Sequence, residues 1–513
     1  MVTEKSWPLL KPKYAKRNPK NRYSLQRKST SKSTANKNSH KKNCPCKKTL
    51  PLQGCLLRKW LIMSERLEER ALEYHEGERP GKTEITPTKP HDTPEQLSLA
   101  YSPGVAAPAA AINKDRWQAY RYTNKGNLIA VVSNGSALLG LGNVGALSSK
   151  PVMEGKSMLF KIYADVDAFD IELAEEDPDK FIEAVQGISP TFGGINLEDI
   201  KAPECFYIEE RLRNLLDIPV MHDDQHGAAI TIAAALLNAA EVADKELQSL
   251  KVVISGAGAA AISTAKMLVR LGLMREQITM ADSKGVITIA RDILPPEKAL
   301  FASSDTSLHT LADAIKASDV FIGLSVGNVL TKEMVRSMAD TPIIFALANP
   351  TPEISYADAI AARPDAIVAT GRTDTPNQIN NALAFPYLFR GALDTLATNI
   401  NREMEMAAVK AIAALAHEPV PHEIKKSYGS NLSFGPAYIL PKLGDRRLLF
   451  AVSMAVAKAA MDSGIARRGI ASWSEYEEAL RCRIERETHY RHHGRCNNKQ
   501  LLHKRYNRGM NKL

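Results

Sequence analysis

Residues 250–261 read LKVVISGAGAAA, and this stretch decides the fold. Val252, Val253 and Ile254 are apolar and β-branched, which suits a strand covered on both faces. Glycines follow at once, and small residues then open a helix. Gly256 permits a tight turn, Gly258 lets backbone approach a pyrophosphate, and the small Ala261 lets helix and strand pack closely. The start of that helix offers free N–H groups and a positive dipole end to phosphates. Asp282 ends the next apolar run, ITMAD at 278–282, where an acid can accept hydrogen bonds from a ribose. Together these features predict a dinucleotide-binding unit. Asp282 favours NAD by its charge, whereas Ser283 and Lys284 beside it can receive the extra phosphate of NADP, so both cofactors stay open.

Downstream, DVFIGLS (319–325), PIIFALANP (342–350) and AIVATGR (366–372) continue an alternation of strands and helices, as in a doubly wound Rossmann-type domain. Upstream, NLIAVVS (127–133) and KSMLFKIYADVDAFDIEL (156–173) read as apolar β-type runs. A helix near 178–187, then FGGINLEDI (192–200) and DIPVMH (217–222), complete a second α/β pattern with a largely parallel sheet. A long Ala-rich helix follows Asp223. The fold class is therefore α/β, with an N-terminal unit over 63–222 and a dinucleotide unit with C-terminal helices over 223–478. An active site is expected in the cleft between them.

Charge is distributed unevenly. The net charge of +10 taken alone suggests an anionic partner, but residues 1–62 hold 17 Lys+Arg against one acid and residues 481–513 hold 10 against two. The body between them is acidic, which argues against nucleic acid or a membrane surface as its partner. Residues 1–62 are expected to be a disordered basic extension and 479–513 a basic tail. Four of the six cysteines (Cys44, Cys46, Cys55, Cys496) lie in these ends, and only Cys205 and Cys482 elsewhere. That pattern gives no disulfide framework and fits a reducing, cytoplasmic setting. Cys44 and Cys46 lack the second Cys or His pair that a zinc site needs. No apolar run reaches the roughly 18–20 residues of a membrane span, and no signal peptide is visible.

SERLEERALEYHE at 64–76 reads as an amphipathic helix. Thr93, Pro94 and Gln96 supply an N-cap, a first-turn proline and a capping-box partner for a short helix that places Tyr101 at its end.

Two constellations carry chemistry. Glu198 and Asp199 follow one predicted strand, and Asp223 and Asp224 follow the next. In a parallel sheet such strand ends converge on one crevice, where crowded carboxylates repel unless a cation joins them. Oxygen ligands suit Mg²⁺ or Mn²⁺. Tyr101, in AYSPGVAAP (100–108), and Lys156, in KPVMEGK (150–156), form a possible acid and base pair. An exposed lysine titrates near pH ~10.4, and desolvation or a nearby cation can bring it down.

These motifs, with LLGLGNVGAL (138–147), PTFGGINLEDIKAPECF (190–206), DDQHG (223–227), DSKG (282–285), ALANPTPE (346–353) and PNQINNALAFP (376–386), resemble the malic enzyme family over about residues 64–478. The likeness is to the bacterial form whose longer members carry a phosphotransacetylase-like domain. Residues 481–513 show no such pattern, so acetyl transfer is not expected. The resemblance implies oxidative decarboxylation of L-malate to pyruvate and carbon dioxide with NAD or NADP, and decarboxylation of oxaloacetate. It implies Tyr101 as general acid, Lys156 as general base, and Glu198, Asp199 and Asp224 as metal ligands, with Asp223 a neighbour. It places Gly256, Gly258, Ala259, Ala261, Asp282, Ser283, Lys284 and Asn349 at the cofactor, and Asn349 and Asn381 at the substrate. It also implies a homodimer or larger homo-oligomer. Ala137, Leu138 and Leu139 stand where many relatives outside the bacterial branch have an arginine, so the partner of the substrate carboxylate is open. A malolactic enzyme and a noncatalytic nucleotide-binding regulator are the alternatives.

Overall fold

The computed structural model describes residues 67–76, 79–138 and 141–493, with side chains to residue 484. The expectations for residues 1–62, including Cys44, Cys46 and Cys55, and for Cys496 lie outside them. The chain divides into two units, Met1–Leu72 and Glu73–Leu513. The described part of the first is helical, within the helix expected over 64–76. All that follows concerns the second unit.

Four strands form the first sheet: β1 (Leu128–Ser133), β2 (Asp167–Glu172), β3 (Gly194–Leu197) and β4 (Val220–His222), in the order β2-β1-β3-β4 and all parallel. Side chains alternate across β1 as strand geometry requires. Ile129 and Val131 join one core, and Leu128, Ala130 and Val132 join another with Phe181, Ile195 and Val220.

The second sheet contains β5 (Val252–Ser255), β6 (Ile278–Asp282), β7 (Gly285–Val286), β8 (Val320–Gly323), β9 (Ile343–Ala346), β10 (Ile367–Thr370) and β11 (Asn377–Gln378). Their order is β11-β10-β9-β8-β5-β6-β7, parallel except for the short hairpin β6–β7. The chain moves one way from β5 to β6 and returns on the other side of β5 to β8. That reversal is the switch point at which open α/β sheets bind ligands.

Between the sheets runs α2 (Asp223–Val242), which begins directly after β4. It is buried almost all round, from Gly227 through Leu236, as its Ala-rich composition permits. Ile230, Ile232 and Leu236 join Ile129 of β1 and Val252 of β5 in one continuous apolar cluster. The two sheets thus share a core.

One expectation fails locally. The run 156–173 is not a single β-type stretch, because α1 (Ala146–Ala164) takes its first half and β2 starts only at Asp167. Met153, Phe160 and Ala164 are buried at helical spacing, and this periodicity extends back into the Lys150–Lys156 motif. Thr93 does cap Pro94–Ala100 in a capping box with Gln96, and Tyr101 is that helix's C-cap. At the far end, the helix Trp473–His493 crosses residue 478 without a break. Leu480 is fully buried, and Arg483 bonds Asp165 at 3.0 Å.

Candidate active site

The ends of β3 and β4 are neighbours, with Leu197 opposite His222 in the register. Glu198 and Asp199 leave one strand and Asp223 and Asp224 the other, so the sheet itself brings four carboxylates together. Asp199 sits at φ 52°, a left-handed conformation that aspartate tolerates better than most residues. Its backbone N–H donates to Asp224 Oδ2 at 2.8 Å, and Asn196 Nδ2 donates to Glu198 Oε2 at 2.9 Å.

Lys156 enters this cluster from α1. Its Nζ lies 2.8 Å from Glu198 Oε1 and 2.6 Å from Asp223 Oδ2, and 4.3 Å from the centre of the Phe385 ring. The lysine side chain is 11% exposed, Glu198 5% and Asp223 not at all. Asn381, in the short turn Asn381–Leu383, donates to Asp223 Oδ2 at 3.1 Å. Asp223 is therefore more than a neighbour of the site, since it holds both Lys156 and Asn381.

Electrostatics here depart from the sequence expectation for Lys156. Burial works against its charge, but Asp223, Glu198 and Asp224 outweigh burial and hold the ammonium above its ordinary value. Burial, with Asp224 beside it, pushes Asp199 up to about 8, and burial raises Glu198 well above the carboxylate range even though Lys156 opposes it. These carboxyls are short of positive charge. Ligand oxygens of Glu198, Asp199 and Asp224 lie within 4.8 Å of one another, and the buried Asp199 Oδ2 and Asp223 Oδ1 have no hydrogen-bond partner. Three hard oxygen donors and an orphaned carboxylate oxygen fit Mg²⁺ or Mn²⁺.

Tyr101 is placed differently. Its side chain is 77% exposed and makes no hydrogen bond among the described residues, so of the expected acid and base pair only Lys156 stands with the carboxylates.

At the switch point, Gly256 has φ 119°, and a Cβ there would collide with the Leu324 carbonyl oxygen and sit 2.8 Å from its carbon. Nothing lies within 4 Å of a Cβ built on Gly258, so the turn is open above the start of α3 (Ala259–Leu271), where Ala261 is buried. Leu324 N–H donates to Ser255 O at 2.7 Å, which binds the β5 and β8 loops together. Gly256→Ala should therefore weaken binding of a reduced nicotinamide dinucleotide, NADH or NADPH, at least about tenfold, read by nucleotide fluorescence, because either the turn or the β8 loop must move. Unchanged affinity would remove the turn from the cofactor site. Asn349 is exposed at the end of β9.

Sequence reasoning missed Glu353. This fully buried acid accepts the N–H groups of Ser325 and Ala348, each at 3.0 Å, and so ties the loops after β8 and β9. An acid closing the motif ALANPTPE was its only signal. Also missed was a buried ionic network behind α2. His226 lies 2.9 Å from Glu209 and 2.7 Å from Glu405, and Arg270 lies 2.6 Å from Glu405. Burial opposes charge on His226, but the two glutamates raise it to about 10.

A doubly wound dinucleotide sheet sharing one core with a lysine and carboxylate cluster defines the class, a dinucleotide-binding α/β protein with a built acidic site. Residues 225–460 match the family model "Malic enzyme, NAD binding domain", and residues 80–177 and 173–213 match "Malic enzyme, N-terminal domain". The NADP-dependent malic enzyme of Escherichia coli (strain K12) is 56% identical over 420 residues, which cover 82% of this chain and 55% of that protein. The chain thus spans little more than half the length of that relative. The NADP-dependent malic enzyme of Halomonas elongata is 54% identical, with 79% of this chain and 96% of that one covered. The crystal structure of malic enzyme from Pyrococcus horikoshii Ot3 matches with a TM-score of 0.75 and 41% identity, over 83% of this chain and 96% of that one. The chain belongs to the malic enzyme family.

Proposed function

We propose that the protein oxidises and decarboxylates L-malate to pyruvate and carbon dioxide, with NAD or NADP and a divalent cation, and that it also decarboxylates oxaloacetate. The observation that carries this reading is the buried Lys156 between Glu198 and Asp223, beside three carboxylates grouped within 4.8 Å. Lys156 Nζ accepts the proton of the malate hydroxyl as C2 is oxidised. A cation held by the neighbouring carboxylates would take up their charge and so lower the hold on the Lys156 proton. Glu198, Asp199 and Asp224 would hold Mg²⁺ or Mn²⁺, which would supply Lewis-acid polarisation of substrate oxygens, and a bound nicotinamide would supply the hydride acceptor. Asn381 and Asp223 orient Lys156 and the substrate, with Asn349 at the nicotinamide side. The family resemblance alone assigns Tyr101 the proton that C3 gains after carbon dioxide leaves, since within this chain Tyr101 stands exposed and apart from Lys156.

The test mixes purified protein with L-malate and Mn²⁺, follows cofactor reduction with NAD and NADP separately, and assays pyruvate and lactate. Pyruvate in step with reduced cofactor is expected. Lactate without net reduction would replace this reading with the malolactic one. Metal binding has its own readout, since a ligand at a hundred times its dissociation constant stabilises the folded state by about 2.7 kcal/mol. Mn²⁺ should raise Tm in the wild type and fail to do so in Asp199→Asn; an equal shift in both would sink the ligand assignment.

No helix among the described residues is long and apolar enough to cross a membrane. Leu97, Leu99, Tyr101 and Val105 are all exposed within nine residues. An apolar stretch of that kind supports assembly into a homodimer or larger homo-oligomer.

A further inference from the structure

Glu209 sits midway along the helix Glu204–Leu215. Ile208 and Leu212 of that helix are buried with Ile195 of β3 and Val220 of β4, so the helix is fixed to the first sheet. The Glu209 carboxylate is buried and meets α2 at two places. Its Oε1 accepts the backbone N–H of His222 at 3.0 Å, and its Oε2 lies 3.0 Å from Nε2 of His226.

Those two places bracket the acids of the site. His222 is the N-cap of α2, Asp223 and Asp224 are its first two residues, and His226 follows one turn after His222. The His222 side chain does not cap the helix, and both of its buried ring nitrogens lack a hydrogen-bond partner. A helix end frays unless its orphan backbone groups find partners. The bonds from Lys156, Asn381 and the Asp199 N–H reach only the carboxylates of Asp223 and Asp224. Glu209 instead grips the backbone just before them and the side chain just after.

We infer that Glu209 is a positioning residue for the cation site: by gripping α2 on both sides of Asp223 and Asp224, it sets where Asp224 meets Glu198 and Asp199. This rests on the metal-dependent reading above and extends it to a residue outside the ligand set. The competing role is charge balance alone, since Glu209 and Glu405 both face His226. The two roles make different demands on the side chain. Positioning needs reach, whereas balance needs charge.

The experiment measures Mn²⁺ binding to the full chain from the electron paramagnetic resonance of free Mn²⁺, with NADH binding followed by fluorescence as a check on the fold. Glu209→Asp keeps the charge but is one carbon–carbon bond shorter, so it cannot hold both places. Its dissociation constant for Mn²⁺ should rise at least about tenfold, the scale for groups that orient metal ligands, while NADH affinity holds. Glu209→Gln keeps the length: its amide oxygen accepts the His222 N–H and its NH₂ donates to a neutral His226, so Mn²⁺ affinity should stay within about threefold of wild type. Glu405→Gln leaves both Glu209 contacts in place and should behave like Glu209→Gln. The reverse order, with Asp tolerated and Gln not, or equal effects in the two Glu209 variants, assigns Glu209 to charge balance and overturns the inference. A loss in Glu209→Asp that NADH binding shares overturns it as well. Folded wild type that binds NADH but no Mn²⁺ overturns the cation reading itself, and the inference with it.

Discussion

Lys156→Arg is expected to leave a folded protein whose kcat with malate is lower about a thousandfold, within the range of one proton-transfer catalyst. The argument separates charge from chemistry. Lys156 is the counter-charge for Glu198 and Asp223, at 2.8 and 2.6 Å, in a setting where both acids are buried. Removing one partner of such a buried pair costs roughly 3–5 kcal/mol, so Lys156→Met should lower Tm as well as activity. Arginine keeps the charge and its hydrogen bonds but cannot give up a proton in a protein, so it cannot serve as a base. Stability close to wild type with activity lost is the outcome expected for Lys156→Arg. If that variant keeps kcat within about tenfold of wild type, Lys156 is a structural cation and the base must be sought elsewhere.

The second large effect is expected from a residue that does no chemistry. Gly227 lies one helical turn past Asp223 on α2. A Cβ there would collide with Asp223 Oδ1, stand 2.9 Å from its Cγ and 3.2 Å from the Asn381 Cβ. The helix cannot step aside, because it is buried from Gly227 through Leu236. Asp223 must therefore turn away, and the bonds to Lys156 and Asn381 go with it. A misplacement on the scale of 1 Å can cost about a hundredfold, which is the fall in kcat/KM expected for Gly227→Ala. Alanine inside a helix ordinarily stabilises by up to about 1 kcal/mol relative to glycine. An active Gly227→Ala with a raised Tm would show that Asp223 is not held as described.

Much of this was readable from the residues. The run VVISGAG gave strand, turn and helix because each choice is local: β-branched residues, a glycine that tolerates φ 119°, then small helix formers. Strand-end acids were readable for a similar reason, since parallel strands end at one edge and their followers meet there. Thr93 and Gln96 lie three residues apart, and their capping box formed as expected.

What escaped was non-local or a matter of balance. Lys156 and Asp223 are 67 positions apart, so the strength of their pairing, and the upward push on Lys156, depended on burial that no single segment encodes. Asp282, beside the exposed Ser283 and Lys284, accepts bonds from Arg291 and Lys298, nine and sixteen residues further on and beyond the reach of a motif. The run 156–173 misled because KSMLFKIYA is apolar enough for a strand, while its helical spacing is clear only when Met153 is counted with it.

The network around His226 has a consequence for anyone who would recombine such proteins. His226 stands at the start of the helix that carries Asp223 and Asp224, and one of its two anchors, Glu405, belongs to the helix Arg402–Leu415 far along the chain. The chemical centre is assembled from the N-terminal sheet but propped from the C-terminal half. A chimera spliced anywhere between these helices inherits a histidine and a glutamate that did not mature together, so a workable graft must carry both across as a single inheritance.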